Sequence, residues 1–240
     1  MSAGRHTTAR RQYGQSATEF LIIFPALIFL VFGVLQWALI YQARSTLNHA
    51  VFLAARAGAL NNGSKHSMKS GLASGLTPLF AAKANATGYS AALLKAKIDV
   101  NYVGGALGAT KLEVLNPTKA AITDFGRSRL DNKAGKEIPN DTLMYRSTKP
   151  GKNSKISVQD ANILHLRVTY CYRLIVPVVG RMIHAMSDIN PFNKSPGMDN
   201  PFGDLNGSFN GCPGLDGPRI ALRSEAIVRM QSPFFEENFK

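Results

Sequence analysis

The sequence predicts an α+β fold carried on one long N-terminal helix. Three patterns predict it. Residues 20–40 form an unbroken apolar run, apolar residues continue at helical spacing as far as Gly58, and the stretches 164–173 and 220–231 alternate between apolar and polar side chains. A chain of 240 residues suffices for an anchor plus one sizeable domain, or for two small domains.

The apolar run reads FLIIFPALIFLVFGVLQWALI, and Gln36 is its one polar side chain. About 20 apolar residues cross the hydrocarbon core of a bilayer as a helix. Arg5, Arg10 and Arg11 precede the run, and no acidic residue occurs before Glu19. The positive-inside rule then sets the N-terminus in the cytoplasm and the chain beyond about Tyr41 on the far side. A cleaved secretory signal would have a shorter apolar core with a small-x-small site close behind it. The nearest such sites here, Ala55-Arg56-Ala57 and Ala57-Gly58-Ala59, lie well downstream, so a retained anchor is expected. Pro25 and Gly33 inside the run are tolerable in a membrane helix and can mark a kink or a simple bend.

Beyond the run, Ala43, Leu47, Ala50, Val51, Ala54 and Gly58 share one stripe, with Ser45, His49 and Arg56 opposite. Asn61-Asn62-Gly63 supplies a stop signal. A helix over residues 16–60 would be about 65 Å long, of which about 30 Å lies in the bilayer. Phe52 faces away from the small-residue stripe, and the expectation is that the folded head wraps both faces and takes Phe52 into its core.

Met68, Leu72, Leu76, Leu79 and Phe80 predict a second helix, with Pro78 leaving its end open, and residues 89–97 a short third one. Ile98, Val100 and Tyr102 alternate, a glycine-rich stretch 104–108 follows, and Leu112 and Val114 alternate again, which predicts a β-hairpin. Residues 116–157, rich in Pro, Gly, Asn and Lys, read as a long connection with local structure. The clearest strand has Leu164, Leu166, Val168, Tyr170 and Tyr172 on one face. The C-terminal strand sets Ile220, Leu222, Ala226, Val228 and Met230 against Arg223, Glu225 and Arg229. Residues 174–186 are apolar but too short to cross a bilayer, so a buried or interfacial helix is expected. Residues 187–218 form a loop dense in Asn, Pro, Gly and Asp that repeats Asn-Pro-Phe.

The formal net charge is +13, but apart from Arg10-Arg11 the basic residues are scattered, so no nucleic-acid partner is expected. The glycines at 104–108 lack the Gly-Lys-Ser/Thr of a phosphate loop. Asp199, Asp204, Asn206 and Asp216 miss the spacing of a calcium loop, and turn chemistry accounts for them. The histidines show no ligand spacing and no catalytic motif is present, so neither a metal, nor a cofactor, nor a catalytic residue is assigned, and the chain is not expected to be an enzyme. Cys171 and Cys212 form no C-x-x-C pair. If residues 42–240 lie outside the cytosol, and if the two alternating strands are neighbours, the two cysteines are expected to form a disulfide.

Glu19 adjoins the apolar run on its N-terminal side, where a lone acid can snorkel to the headgroups. The surrounding order is more specific. A basic leader ends in Gly14, Gln15 follows, Glu19 is the fifth residue after the glycine, and Phe20 opens the apolar helix. This resembles the processing site of type IV prepilins. The resemblance implies cleavage between Gly14 and Gln15 by a membrane prepilin peptidase, and a carboxylate at Glu19 that pairs with the N-terminal amine of a neighbouring subunit. The junction, the Glu19-Phe20 pair and the later Ala54-Ala55-Arg56-Ala57-Gly58-Ala59 together resemble the TadE-like minor pseudopilins of tight-adherence (Tad) pili, over about the first 60 residues. Major Tad pilins are usually much shorter and carry tyrosine where Phe20 stands, which favours a minor pseudopilin over a shaft subunit.

The resemblance implies four segments: a leader at 1–14, a transmembrane helix at 15–41, an extramembrane helix spine at 42–63 and a periplasmic TadE-like α+β head at 64–240. The implied partners are the bacterial inner membrane, a prepilin peptidase, other pilins or pseudopilins and Tad assembly proteins. The rival reading is an anchored periplasmic ligand-binding or adhesive protein, or an anchored enzyme.

Overall fold

The computed structural model describes residues 15–83, 85–103, 110–176, 179–180, 182 and 219–239, with the backbone alone for 15–17 and 102–103. Helix α1 (Gln15–Leu60) is continuous over 46 residues and passes through Pro25. Two environments divide its surface. From Thr18 to Leu35 no described side chain is buried. From Gln36 onward Ile40, Ala43, Leu47, Ala50, Val51, Ala54 and Ala59 are buried along one stripe. The expected stripe is therefore the face on which the head is built.

Helix α2 (Lys65–Phe80) returns antiparallel along α1 and buries Met68, Leu72, Ala73 and Leu76 against it. The two backbones come unusually close. A Cβ at Gly75 would overlap Cα and Cβ of Ala50, and one at Gly71 would lie 2.9 Å from the carbonyl oxygen of Leu53. Glycine facing alanine allows this approach, and van der Waals packing along both backbones stabilises it.

The stop after α1 is as expected, since Asn62 (φ 55°) and Gly63 (φ 75°) both take left-handed conformations. What closes it comes from the other end of the chain. The backbone N–H groups of Gln231 and Ser232 each donate to the carbonyl of Ala59 at 3.1 Å, and the Asn62 N–H donates to the Ser232 hydroxyl at 2.8 Å. Phe234, fully buried, lies over Gly63 where a side chain would otherwise stand.

Helix α3 (Ala86–Ile98) opens with Asn85, whose side chain accepts from the Gly88 N–H at 2.7 Å. It runs directly into a π-helical turn, Asp99–Val103. This corrects the expected hairpin. Ile98 ends the helix and Val100 is buried in the turn, because three alternating residues are too few to distinguish a strand from a continuing helix. The glycine stretch between lies outside the described residues.

The main sheet has the order β1-β4-β5, all antiparallel, from β1 (Thr110–Asn116), β4 (Ile163–Arg173) and β5 (Arg219–Arg229). Leu112 pairs with Val168 rather than with a hairpin partner, and Cys171 lies opposite Ala221. Leu164, Leu166, Val168, Tyr170 and Leu222 point inward and join the core with α1 and α2. The alternation of the two long strands thus appears in space as a wet face and a dry face. A second small antiparallel sheet, absent from the single-sheet expectation, has the order β2-β3-β6, from β2 (Arg127–Ser128), β3 (Lys136–Ile138) and β6 (Phe234–Phe235). Strands of two or three residues leave no periodic signal to read.

The stretch 116–157 is more ordered than a plain connection. It contains α4 (Lys119–Phe125), β2 and β3, and Asp124 of α4 holds its final turn. The Asp124 carboxylate accepts from the Ser154 N–H at 2.7 Å, the Ser154 hydroxyl at 2.8 Å and the Asn153 amide at 2.7 Å. The short helix α5 (Val158–Ala161) then starts from a capping box of Ser157 and Asp160. Phe52 is 47% exposed, so the expectation of a core role is wrong: the head covers one side of α1 only. In the 174–186 segment Leu174 and Val179 are buried and Ile175 and Met182 exposed, while its remainder and the whole 187–218 loop lie outside the described residues.

Two outcomes follow from this packing. Gly75→Ala should destabilise the head by about 1–3 kcal/mol, since the added methyl meets backbone rather than a movable side chain; thermal unfolding of the detergent-solubilised protein measures it, and an unchanged midpoint would contradict the close crossing. The Asp124 carboxyl is held below its ordinary range, first by the Ser154 backbone N–H; desolvation pushes it up, and the Ser154 and Asn153 side chains add to the lowering. A depressed folded-state pKa gives stabilisation that is present above the unfolded value and lost as pH falls through the folded one. Amide protection in 151–157 should hold from neutral pH down to about pH 4 and decline below it, and Asp124→Asn should abolish that dependence.

Candidate functional site

The first half of α1 is a free-standing apolar rod bearing one ionisable side chain. Glu19 is exposed, and no ion-pair partner for it is found among the described residues. Phe20 follows it and stacks on Phe24 one turn later, ring centroids 5.0 Å apart. Leu21, Ile22, Ile23 and Leu27 are also exposed. The helix is long and apolar enough to cross a membrane. A surface of this kind is covered by lipid, by other apolar helices, or by both. Of the processing residues, Gln15 opens α1 and Gly14 lies outside the described residues.

The head takes hold of α1 at Gln36. This polar residue, anomalous in the apolar run, is fully buried, and its Oε1 accepts the Val176 backbone N–H at 2.9 Å. A backbone donor arriving from the segment after β4 is thereby satisfied by a side chain within the anchor sequence. Periodicity marked Gln36 as an exception but could not name its partner 140 residues away.

At the same end of the sheet lies a polar cluster that the sequence patterns did not reveal. The Tyr170 hydroxyl hydrogen-bonds the Asp99 carboxylate, and Arg219 stands nearby, donating from Nη1 to the Cys171 carbonyl at 3.3 Å. Burial raises the Asp99 carboxyl, with Tyr170 and Arg219 acting against it. Burial and the neighbouring Asp99 push the Tyr170 phenol well above its ordinary range. A phenol kept protonated and a carboxylate held by it form a strut between the π-helical turn and the sheet. On the wet face Glu225 accepts from His165 at 2.8 Å and also from Arg167; partial desolvation pushes its carboxyl up, and these hydrogen bonds together outweigh that and hold it low. Such a surface pair contributes little to stability. Among the described residues no cluster of three or more His, Cys, Asp or Glu could hold a metal ion.

Cys171 is buried near the end of β4, and Cys212 lies outside the described residues. The strands nearest the two cysteines, β4 and β5, are neighbours, which meets the structural one of the two conditions for the bridge.

No curated protein sequence and no solved structure matches the chain. Residues 14–56, from the glycine before α1 through the free-standing half of the helix and into its buried stripe, match the family model of the TadE-like proteins.

Proposed function

We propose that this chain is a structural and assembly component, a minor pseudopilin, of a Tad-type pilus or related secretion machinery. In this reading it sits in the bacterial inner membrane with a cytoplasmic N-terminus and a periplasmic head, is processed by a prepilin peptidase between Gly14 and Gln15, and works by packing its helix against other pilins. The observation that carries it is the position of Glu19, the one ionisable side chain on an exposed apolar half-helix, inside the segment that matches the TadE-like family. A carboxylate there costs free energy when helices bundle in an apolar medium unless a cation meets it. Cleavage after Gly14 would create such a cation, the α-amine of Gln15, at the mouth of the same helix. Phe20 and Phe24 add an aromatic contact surface beside it.

Mass spectrometry of the membrane-extracted protein from its own host should give a mature chain beginning at Gln15. Gly14→Val should block processing, because a branched side chain crowds the backbone at the cut; a native chain that begins at Met1 or Ser2 contradicts the processing step. Glu19→Gln should leave membrane insertion intact and reduce co-purification with other pilins. Equal recovery of partners with wild type and variant would remove the pairing role and leave Glu19 as a headgroup-level acid. The Cys171–Cys212 bridge closes a loop of about forty residues and should stabilise the head by roughly 3–4 kcal/mol in the chain-entropy model. Alkylation in denaturant without reductant should find no free thiol, and two free thiols would count against both the bridge and the periplasmic location.

A further inference from the structure

We propose that the segment following β4, centred on Ile175 and Val176, is a membrane foot that rests in the interfacial layer of the leaflet from which the head emerges. The proposal rests on the reading of α1 as a membrane span. Its first support is axial position. The Val176 N–H bonds Gln36 at 2.9 Å, so this part of the head lies beside α1 at Gln36 and not at the end of the apolar run. Gln36 is about 7 Å closer to the membrane centre than Tyr41 at 1.5 Å per residue. Counted from Phe20, where the apolar run opens beside Glu19, a core about 30 Å thick extends to about residue 40. The head therefore reaches the outer edge of the core, and residues bonded to Gln36 lie about 6 Å inside that edge, at the boundary between acyl chains and headgroups.

The second support is surface chemistry at that level. Ile175 is 61% exposed although Leu174 before it is buried in the core, so the chain turns an isoleucine outward at this level. On α1, Trp37 beside Gln36 is 51% exposed and Tyr41, about 6 Å farther out, is also exposed, and Trp and Tyr are the residues enriched in membrane interfaces. Arg173 stands exposed just before Leu174, and Arg44 is half-buried one turn above Tyr41. In this reading the isoleucine and the aromatic rings lie toward the acyl chains and the arginines toward the phosphates. The occupant that fits is a bilayer interface with anionic headgroups. A foot of this kind fixes the tilt and height of the head relative to the membrane, which a single helix passing through it does not.

The test uses the full chain in vesicles of phosphatidylethanolamine and phosphatidylglycerol, with lipids brominated either near the headgroup or deep in the acyl chain. Trp37 is the one tryptophan, so W37F/I175W and W37F/L27W each report a single position. The expected result is loss of W37F/I175W emission to shallow bromines more than to deep ones, with a blue-shifted maximum, and loss of W37F/L27W emission to deep bromines. Deep quenching in the L27W protein with none in the I175W protein overturns the foot and leaves the span intact. No quenching in either overturns the span reading and the foot with it. A blue shift in the I175W protein that grows with protein concentration and ignores both bromines assigns the surface to a second copy, which also overturns it. In the unsubstituted protein, a photoactivatable lipid with its reactive group near the headgroup should label peptides containing Ile175 as well as α1; labelling of α1 alone counts against the proposal independently of any variant.

Discussion

The close crossing of α1 and α2 at Ala50 and Gly75 is the contact on which the rest of the head depends. It needs small residues on both partners, and it sets the axes near enough that Leu47, Val51, Met68, Leu72 and Leu76 close into one core with no exposed surface among them. The inner face of the β1-β4-β5 sheet, with Leu164, Leu166 and Val168, then covers what the two helices leave open. Because α1 supplies the floor of this core and also the free-standing apolar rod, any shift of the head along the helix would carry the buried stripe out of register with α2.

Polar groups secure this arrangement at its two ends. At the far end, the Ala59 carbonyl in the last turn of α1 is met by both Gln231 and Ser232, so a segment about 170 residues away finishes the first helix. At the near end, Gln36 receives the Val176 N–H, and Tyr170 and Asp99 tie the π-helical turn to the sheet. Each is a long-range bond between a side chain or backbone group and an element far away in sequence. Each also marks a boundary: the first the tip of α1, the second the level at which the head meets the anchor.

The division of α1 has a functional counterpart. One side of its outer half is committed to the head, and Phe52 on the opposite side remains exposed, so the helix is available along its whole length for contact outside the fold. Its inner half is available all round, with Glu19 at the start. The helix is thus both the spine of the head and an open apolar surface, and the match of residues 14–56 to the TadE-like family falls on this part of the chain.

What the sequence determined by itself is local and periodic. The apolar run, the small-residue stripe and the Asn62-Gly63 stop made α1 legible nearly to its last residue, and period-two alternation made β4 and β5 legible with the correct inward faces. The resemblance of the segment from Gly14 through Phe20 to the TadE-like family was readable for the same reason, since it lies in spacing along one segment. Only the tertiary structure decided that β1 pairs with β4, that Ile98 ends a helix instead of opening a strand, that Phe52 stays outside the core, and that Gln36 serves a backbone group 140 residues away. Those outcomes depend on which surfaces meet. Side-chain period records which face of an element is apolar, whereas its partner is selected by shape and hydrogen-bond satisfaction across the folded chain, and neither leaves a periodic trace in the residues that make the contact.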